Sequence, residues 1–168
     1  SAGEREQALV MLETGTEVNA PLLDGSTALL YAAYLDDAAL VAALLDASAN
    51  PDVRNEYGAF ALSEAAQNGN STIVKLLLEH GADANLGNAE GETALMVAAR
   101  SGSVEVAELL LKHGADINAR EQWGGQTAVM WAAAQNQAEM LKLLVKNKAD
   151  VNLHGNARLW DRRTMNEP

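Results

Sequence analysis

The chain has 168 residues, 48% of them hydrophobic, 21% charged and 4% aromatic, with a formal net charge of −11. The apolar share excludes wholesale disorder, the absence of cysteine excludes a disulfide scaffold, a thiolate zinc site and a cysteine nucleophile, and the negative balance opposes binding to nucleic-acid phosphates. No apolar run approaches the ~20 residues of a membrane-spanning helix, and Ser1 to Leu12 carries charges where a secretory leader would be apolar, so the sequence reads as a soluble chain without membrane insertion.

Residues 1–20 supply one helix and the ending Gly15-Thr16-Glu17-Val18-Asn19, so the chain begins inside a unit. From residue 21 it repeats. At an offset of 33 residues Leu29, Leu62 and Leu95 fall in register, and one extra residue brings in Val129. The pairs Ala32-Ala33, Ala65-Ala66, Ala98-Ala99 and Ala132-Ala133 follow the same spacing, as do Leu44-Leu45, Leu76-Leu77, Leu109-Leu110 and Leu143-Leu144. The ending recurs at Ser48-Ala49-Asn50-Pro51-Asp52, Gly81-Ala82-Asp83-Ala84-Asn85, Gly114-Ala115-Asp116-Ile117-Asn118 and Lys148-Ala149-Asp150-Val151-Asn152. The units are therefore 21–54, 55–87, 88–121 and 122–154.

Each unit opens with a polar stretch that carries glycine, at Gly25, Gly58, Gly91 and the Gly124-Gly125 pair, which suits a tight hairpin-like turn. Thr27, Thr93 and Thr127 then stand where a hydroxyl can cap a first helix; Phe60 cannot, and that helix is expected to start less firmly. Asp36, Gly69, Gly102 and Asn136 stand where that helix must turn, and they tolerate a left-handed backbone. Asp37, Asn70 and Ser103 are caps for a second helix, with Gln137 the exception. That second helix has a broad apolar stripe, such as Val106, Ala107, Leu109, Leu110 and Leu111. Helices of about two turns do not persist alone, so each pair must stack on its neighbours, and the alanine pairs permit close approach. The tail, residues 155–168, breaks the pattern; it either folds back through Leu159 and Trp160 over the last helix pair or begins an irregular loop.

These residues resemble the ankyrin-repeat family over about residues 5–153. The motif Thr-Pro-Leu-His-x-Ala is matched by Thr27-Ala28-Leu29-Leu30-Tyr31-Ala32, Phe60-Ala61-Leu62-Ser63-Glu64-Ala65, Thr93-Ala94-Leu95-Met96-Val97-Ala98 and Thr127-Ala128-Val129-Met130-Trp131-Ala132. Every copy lacks the proline and the histidine, so the family's Thr–His hydrogen bonding does not carry over. The run Trp123-Gly124-Gly125-Gln126-Thr127-Ala128 is similar to bacterial members. The resemblance implies an all-α solenoid of stacked helix-turn-helix units with β-turn fingers. It also implies a non-enzymatic scaffold or protein-binding role on the concave face of fingers and first helices.

Carried onto this sequence, that face holds Leu23, Asp24, Tyr34, Glu56, Tyr57, Glu90, Glu92, Arg100, Trp123 and Gln126 as partner-binding positions, with Tyr34, Tyr57 and Trp123 as aromatic anchors. The alternative is that Tyr57 and Trp123 pack on the neighbouring finger while the carboxylates are simply solvated. Tyr31 and Trp131 read as core. Residues 1–99 hold 15 Asp or Glu against three Lys or Arg, a net of −12, whereas residues 100–168 hold eight against nine. A protein partner with a basic patch would complement that bias.

No residue set assembles a catalytic site, a metal site or a cofactor cradle. His80 and His113 recur just before Gly81 and Gly114, where helix C-terminal histidines favour the local dipole, and Gly124-Gly125 lacks the context of a phosphate loop. Two other readings stand beside the binding module: a self-associating segment stacked end to end, and the targeting arm of an enzyme whose catalytic domain lies outside this chain. The residues fit a cytoplasmic protein or one exported from a bacterium with its leader removed.

Overall fold

The computed structural model describes residues 17–156 together with Val10. Its eight described helices run in pairs: α1 (Ala28–Tyr34) with α2 (Ala38–Asp46), α3 (Ala61–Asn68) with α4 (Ser71–Glu79), α5 (Ala94–Ser101) with α6 (Val104–Lys112), and α7 (Ala128–Ala134) with α8 (Ala138–Lys146). First helices pack on first helices and second on second, so each repeat touches its neighbours and one thin core threads the stack. The alanine pairs of α1, α3 and α5 are fully buried, where methyl groups let the helix backbones close up. In α7 only Ala132 of the pair is buried, because no described helix lies beyond it.

The punctuation between helices follows the residue chemistry. Asp36, Gly69, Gly102 and Asn136 all adopt positive φ, at 61°, 71°, 77° and 55°, ending each first helix as expected. The turn after each second helix needs the same geometry and receives it from Ser48, Gly81, Gly114 and Lys148. Serine and lysine hold a left-handed backbone at a cost that glycine avoids. Lys148→Gly and Ser48→Gly are each expected to raise stability by about 1 kcal/mol, measured as a higher urea midpoint with an unchanged slope.

The helix starts differ from expectation in four places. Thr27 Oγ1 accepts from Leu30 N at 3.3 Å, but Thr93 and Thr127 make no such bond and their hydroxyls are buried without a partner among the described residues. At Thr93 the amide of Met96 donates to the Thr93 carbonyl instead, at 3.0 Å, so the hydroxyl loses its donor to its own backbone. Ser103 also fails to cap; its Oγ lies 2.9 Å from Ser101 Oγ. Phe60, conversely, is fully buried, and its helix is secured from the inside. Ser63 Oγ accepts from Phe60 N at 3.3 Å and donates to Phe60 O at 2.8 Å.

A side-chain ladder along one edge ties the repeats together. Asn19, Asp52, Asn85 and Asn118 each accept, through a side-chain oxygen, the backbone N–H of Asn50, Asp83, Asp116 and Asp150 in the next unit, at 2.6–3.0 Å. The recurrent acidic or amide residues of the endings are therefore rungs of the stack.

Candidate partner-binding trough

Four hairpin-like fingers project beside the first helices. Each is closed by a backbone bond, Leu22 N to Ser26 O, Asn55 N to Ala59 O, Asn88 N to Glu92 O, and Glu121 N to Gln126 O, at 2.8–3.1 Å. In the first three, a β-turn ends on a left-handed glycine, Gly25, Gly58 or Gly91, with φ of 77–80°. Fingers also bond to each other: Glu56 N donates to Asp24 O and Gln122 N to Glu90 O. In the second and third fingers the side chain at the base folds the turn. Asn55 Oδ1 accepts from Tyr57 N and Ala59 N, and Asn88 Oδ1 from Glu90 N and Glu92 N.

The fourth finger is one residue longer and uses a longer side chain. Glu121 is buried, and its carboxylate accepts from Trp123 N, Gly124 N and Gln126 N at 2.7–2.8 Å. Asn156 closes over it, donating from its backbone N–H to Gly124 O and from its side chain to Trp123 O. Of the tail, residues 155 and 156 thus lie against this finger; Leu159 and Trp160 lie outside the described residues.

Among the described residues, three clefts run between the fingers and the first helices. The first, about 370 Å³, is lined by Asp24, Tyr31, Tyr34, Tyr57 and Glu64 among others. The second, about 180 Å³, is lined by Tyr57, Glu64, Gln67, Asn88, Glu92 and Arg100. The third, about 380 Å³, is lined by Asn88, Glu90, Glu92, Arg100, Trp123, Gln126 and Trp131. Tyr57 and Glu64 wall both the first and second, while Asn88, Glu92 and Arg100 wall both the second and third, so the clefts join into one trough.

The ten positions read from the sequence divide accordingly. Asp24, Tyr34, Tyr57, Glu90, Glu92, Arg100, Trp123 and Gln126 line the trough; Leu23, wholly exposed at the first finger tip, and Glu56, exposed on the second, line none of its clefts. Tyr57 and Trp123 are 79% and 69% exposed, so neither ring is consumed by packing on a neighbouring finger. The charges are less free than their count implies. Glu92 and Arg100 form a half-buried ion pair, and Arg100 also lies over the Trp131 ring, 5.3 Å from its centroid. The amide and hydroxyl of Ser26 hold the Asp24 carboxyl below the usual carboxylate range.

Of the two rings read as core, Tyr31 is half-buried in the wall of the first cleft, whereas Trp131 shares its area between core and trough wall. Trp131 packs on the core with its indole N–H buried and without a partner among the described residues. Glu64 was not among the sequence candidates. It stands on α3 at the junction of two clefts, and burial pushes its carboxyl above the ordinary range. Its signal was a charge in the motif place that holds Tyr31, Val97 and Trp131 in the other copies.

A family model of ankyrin repeats matches residues 2–88, 29–121 and 62–155 in three overlapping copies, which together run across almost the whole chain. The chain belongs to the ankyrin-repeat family. Ankyrin repeats generally act as protein–protein interaction modules and typically carry no enzymatic chemistry. Among the described residues of these ankyrin repeats, no group of His, Asp and Glu could hold a metal ion and no helix is long and apolar enough to cross a membrane. His80 and His113 each turn Nδ1 to the carbonyl oxygen four residues earlier, at 2.8 and 2.9 Å, beside the end of the second helix.

Proposed function

We propose that this ankyrin-repeat domain holds a basic segment of a protein partner in the trough between its fingers and first helices. The observation that supports this most is the continuity of the three clefts, which share walls and present Tyr34, Tyr57 and Trp123 along one line. Exposed aromatic rings supply large contact area at little entropic cost and dominate many interfaces. Asp24, Glu56, Glu64 and Glu90 flank them, and among the described residues of the trough the single cation, Arg100, is already paired with Glu92. The potential there is negative, which steers a positive partner inward and makes association sensitive to salt.

Selection of random twelve-residue peptides displayed on phage tests this reading. Recovered binders are expected to be enriched in Arg and Lys. Their affinity is expected to fall by at least about 30-fold in a Tyr57→Ala/Trp123→Ala double variant, the loss that one interface hot spot produces. Binders that hold the double variant as tightly as the parent chain would overturn it.

A further inference from the structure

The first and third clefts are the same compartment built two repeats apart, and their contents differ in an informative way. Tyr34 occupies the place of Arg100, Tyr57 that of Trp123, and Glu64 that of Trp131. Their volumes are nearly equal, about 370 and 380 Å³. In the third cleft the chain supplies a cation of its own to the wall: the Arg100 guanidinium is paired to Glu92 and laid on the Trp131 ring. The first cleft has the counterpart surroundings, carboxylates and aromatic walls, and among the described residues no cation enters it. Arg54 is spent on Gly87 O, 2.7 Å away, and Lys75 sits beside Glu79 on the exposed side of α4.

We infer that the first cleft takes the guanidinium of an arginine side chain from the partner, set against the Glu64 carboxylate and between the rings of Tyr34 and Tyr57. This rests on the trough reading above and makes it specific. Charge complementarity selects a cation: Glu64 is a half-buried carboxylate that accepts no hydrogen bond from the described residues, and its desolvation goes uncompensated until a donor arrives. Shape selects guanidinium over ammonium, since a planar, weakly hydrated cation stacks on tyrosine faces as Arg100 stacks on Trp131. Asp24, whose oxygens are held by Ser26, adds field without having to move.

The test uses amide spectra of the intact chain titrated with N-acetyl-arginine methylamide, with its neutral isostere N-acetyl-citrulline methylamide, and with N-acetyl-lysine methylamide. The arginine probe is expected to shift the amides of Tyr31, Ala59 and Glu64 at millimolar concentration, and the citrulline and lysine probes to bind at least about tenfold more weakly. Glu64→Gln is expected to remove at least about tenfold of the arginine affinity, the loss of one charge-assisted contact. That variant should fold at least as stably at neutral pH. Because burial raises the folded carboxyl above its unfolded value, folding takes up a proton, and the ionised group opposes folding as pH rises through that range. Equal binding of citrulline or lysine, shifts centred on Trp123, or an undiminished arginine response in Glu64→Gln would each overturn the inference. Tyr57→Ala, expected to weaken the probe similarly, serves as a second variant. Failure here with phage peptides still lost from the Tyr57/Trp123 variant would sink the arginine site and leave the trough standing.

Discussion

Replacing Leu77 with alanine is expected to destabilise the domain by about 3–5 kcal/mol, whereas replacing its neighbour Leu76 should cost about 1 kcal/mol. The two residues share one helix and one side-chain chemistry. They differ by a rotation of about 100° around the α4 axis, which turns Leu77 wholly into the core and leaves Leu76 partly exposed. Removing three buried carbons forfeits transfer energy and leaves a void that a close-packed stack fills only in part.

The position within the array enlarges the effect. α4 packs against the second helices on both sides, so damage there loosens two interfaces. In a linear stack, stability is close to a sum of unit and neighbour terms, and a domain stability of about 5–15 kcal/mol leaves little margin for such a loss. Urea unfolding followed by circular dichroism reads the difference. Comparable losses from Leu76→Ala and Leu77→Ala would mean that the stack is packed far more loosely than the burial of α4 implies.

The repeat period, the helix pairs and their stops were legible because they are local chemistry repeated. A residue that must adopt positive φ is glycine, asparagine or aspartate in most copies, and copies vote together. Hydroxyl caps were less legible. Thr93 is in register with Thr27, yet which acceptor the Met96 amide meets depends on small differences in backbone position that composition does not encode. The binding face was legible as a set of positions and not as a set of charges. Glu92 and Arg100 are eight residues apart, and only the fold shows that they neutralise each other and that Glu64 has no such partner among the described residues. The fourth finger was the hardest to read. The sequence reveals one extra residue before Val129, but not that Glu121 belongs to the finger and folds it.

Glu121→Asn is accordingly expected to lower stability by about 2–3 kcal/mol, and deletion of Gly124 in the same chain is expected to restore most of it. In the second and third fingers an asparagine at this place satisfies two amides across three intervening residues. The fourth finger has four residues between Glu121 and Gln126, and the additional methylene of glutamate supplies the reach. Shortening the side chain alone leaves the amides of Gly124 and Gln126 without their charged acceptor, each loss worth about 1–3 kcal/mol before relaxation. Removing Gly124 as well yields Asn-Gln-Trp-Gly-Gln-Thr, the pattern of Asn88-Ala89-Glu90-Gly91-Glu92-Thr93. The urea midpoint should then recover, and hydrogen exchange at Gln126 should slow again. A deletion that worsens Glu121→Asn would show that loop length and side-chain length are not matched. The fit also bears on binding, because the Trp123 ring stands in the trough on the segment that Glu121 holds. Glu121→Asn should therefore weaken partner peptides through Trp123, and the shortened finger should recover them.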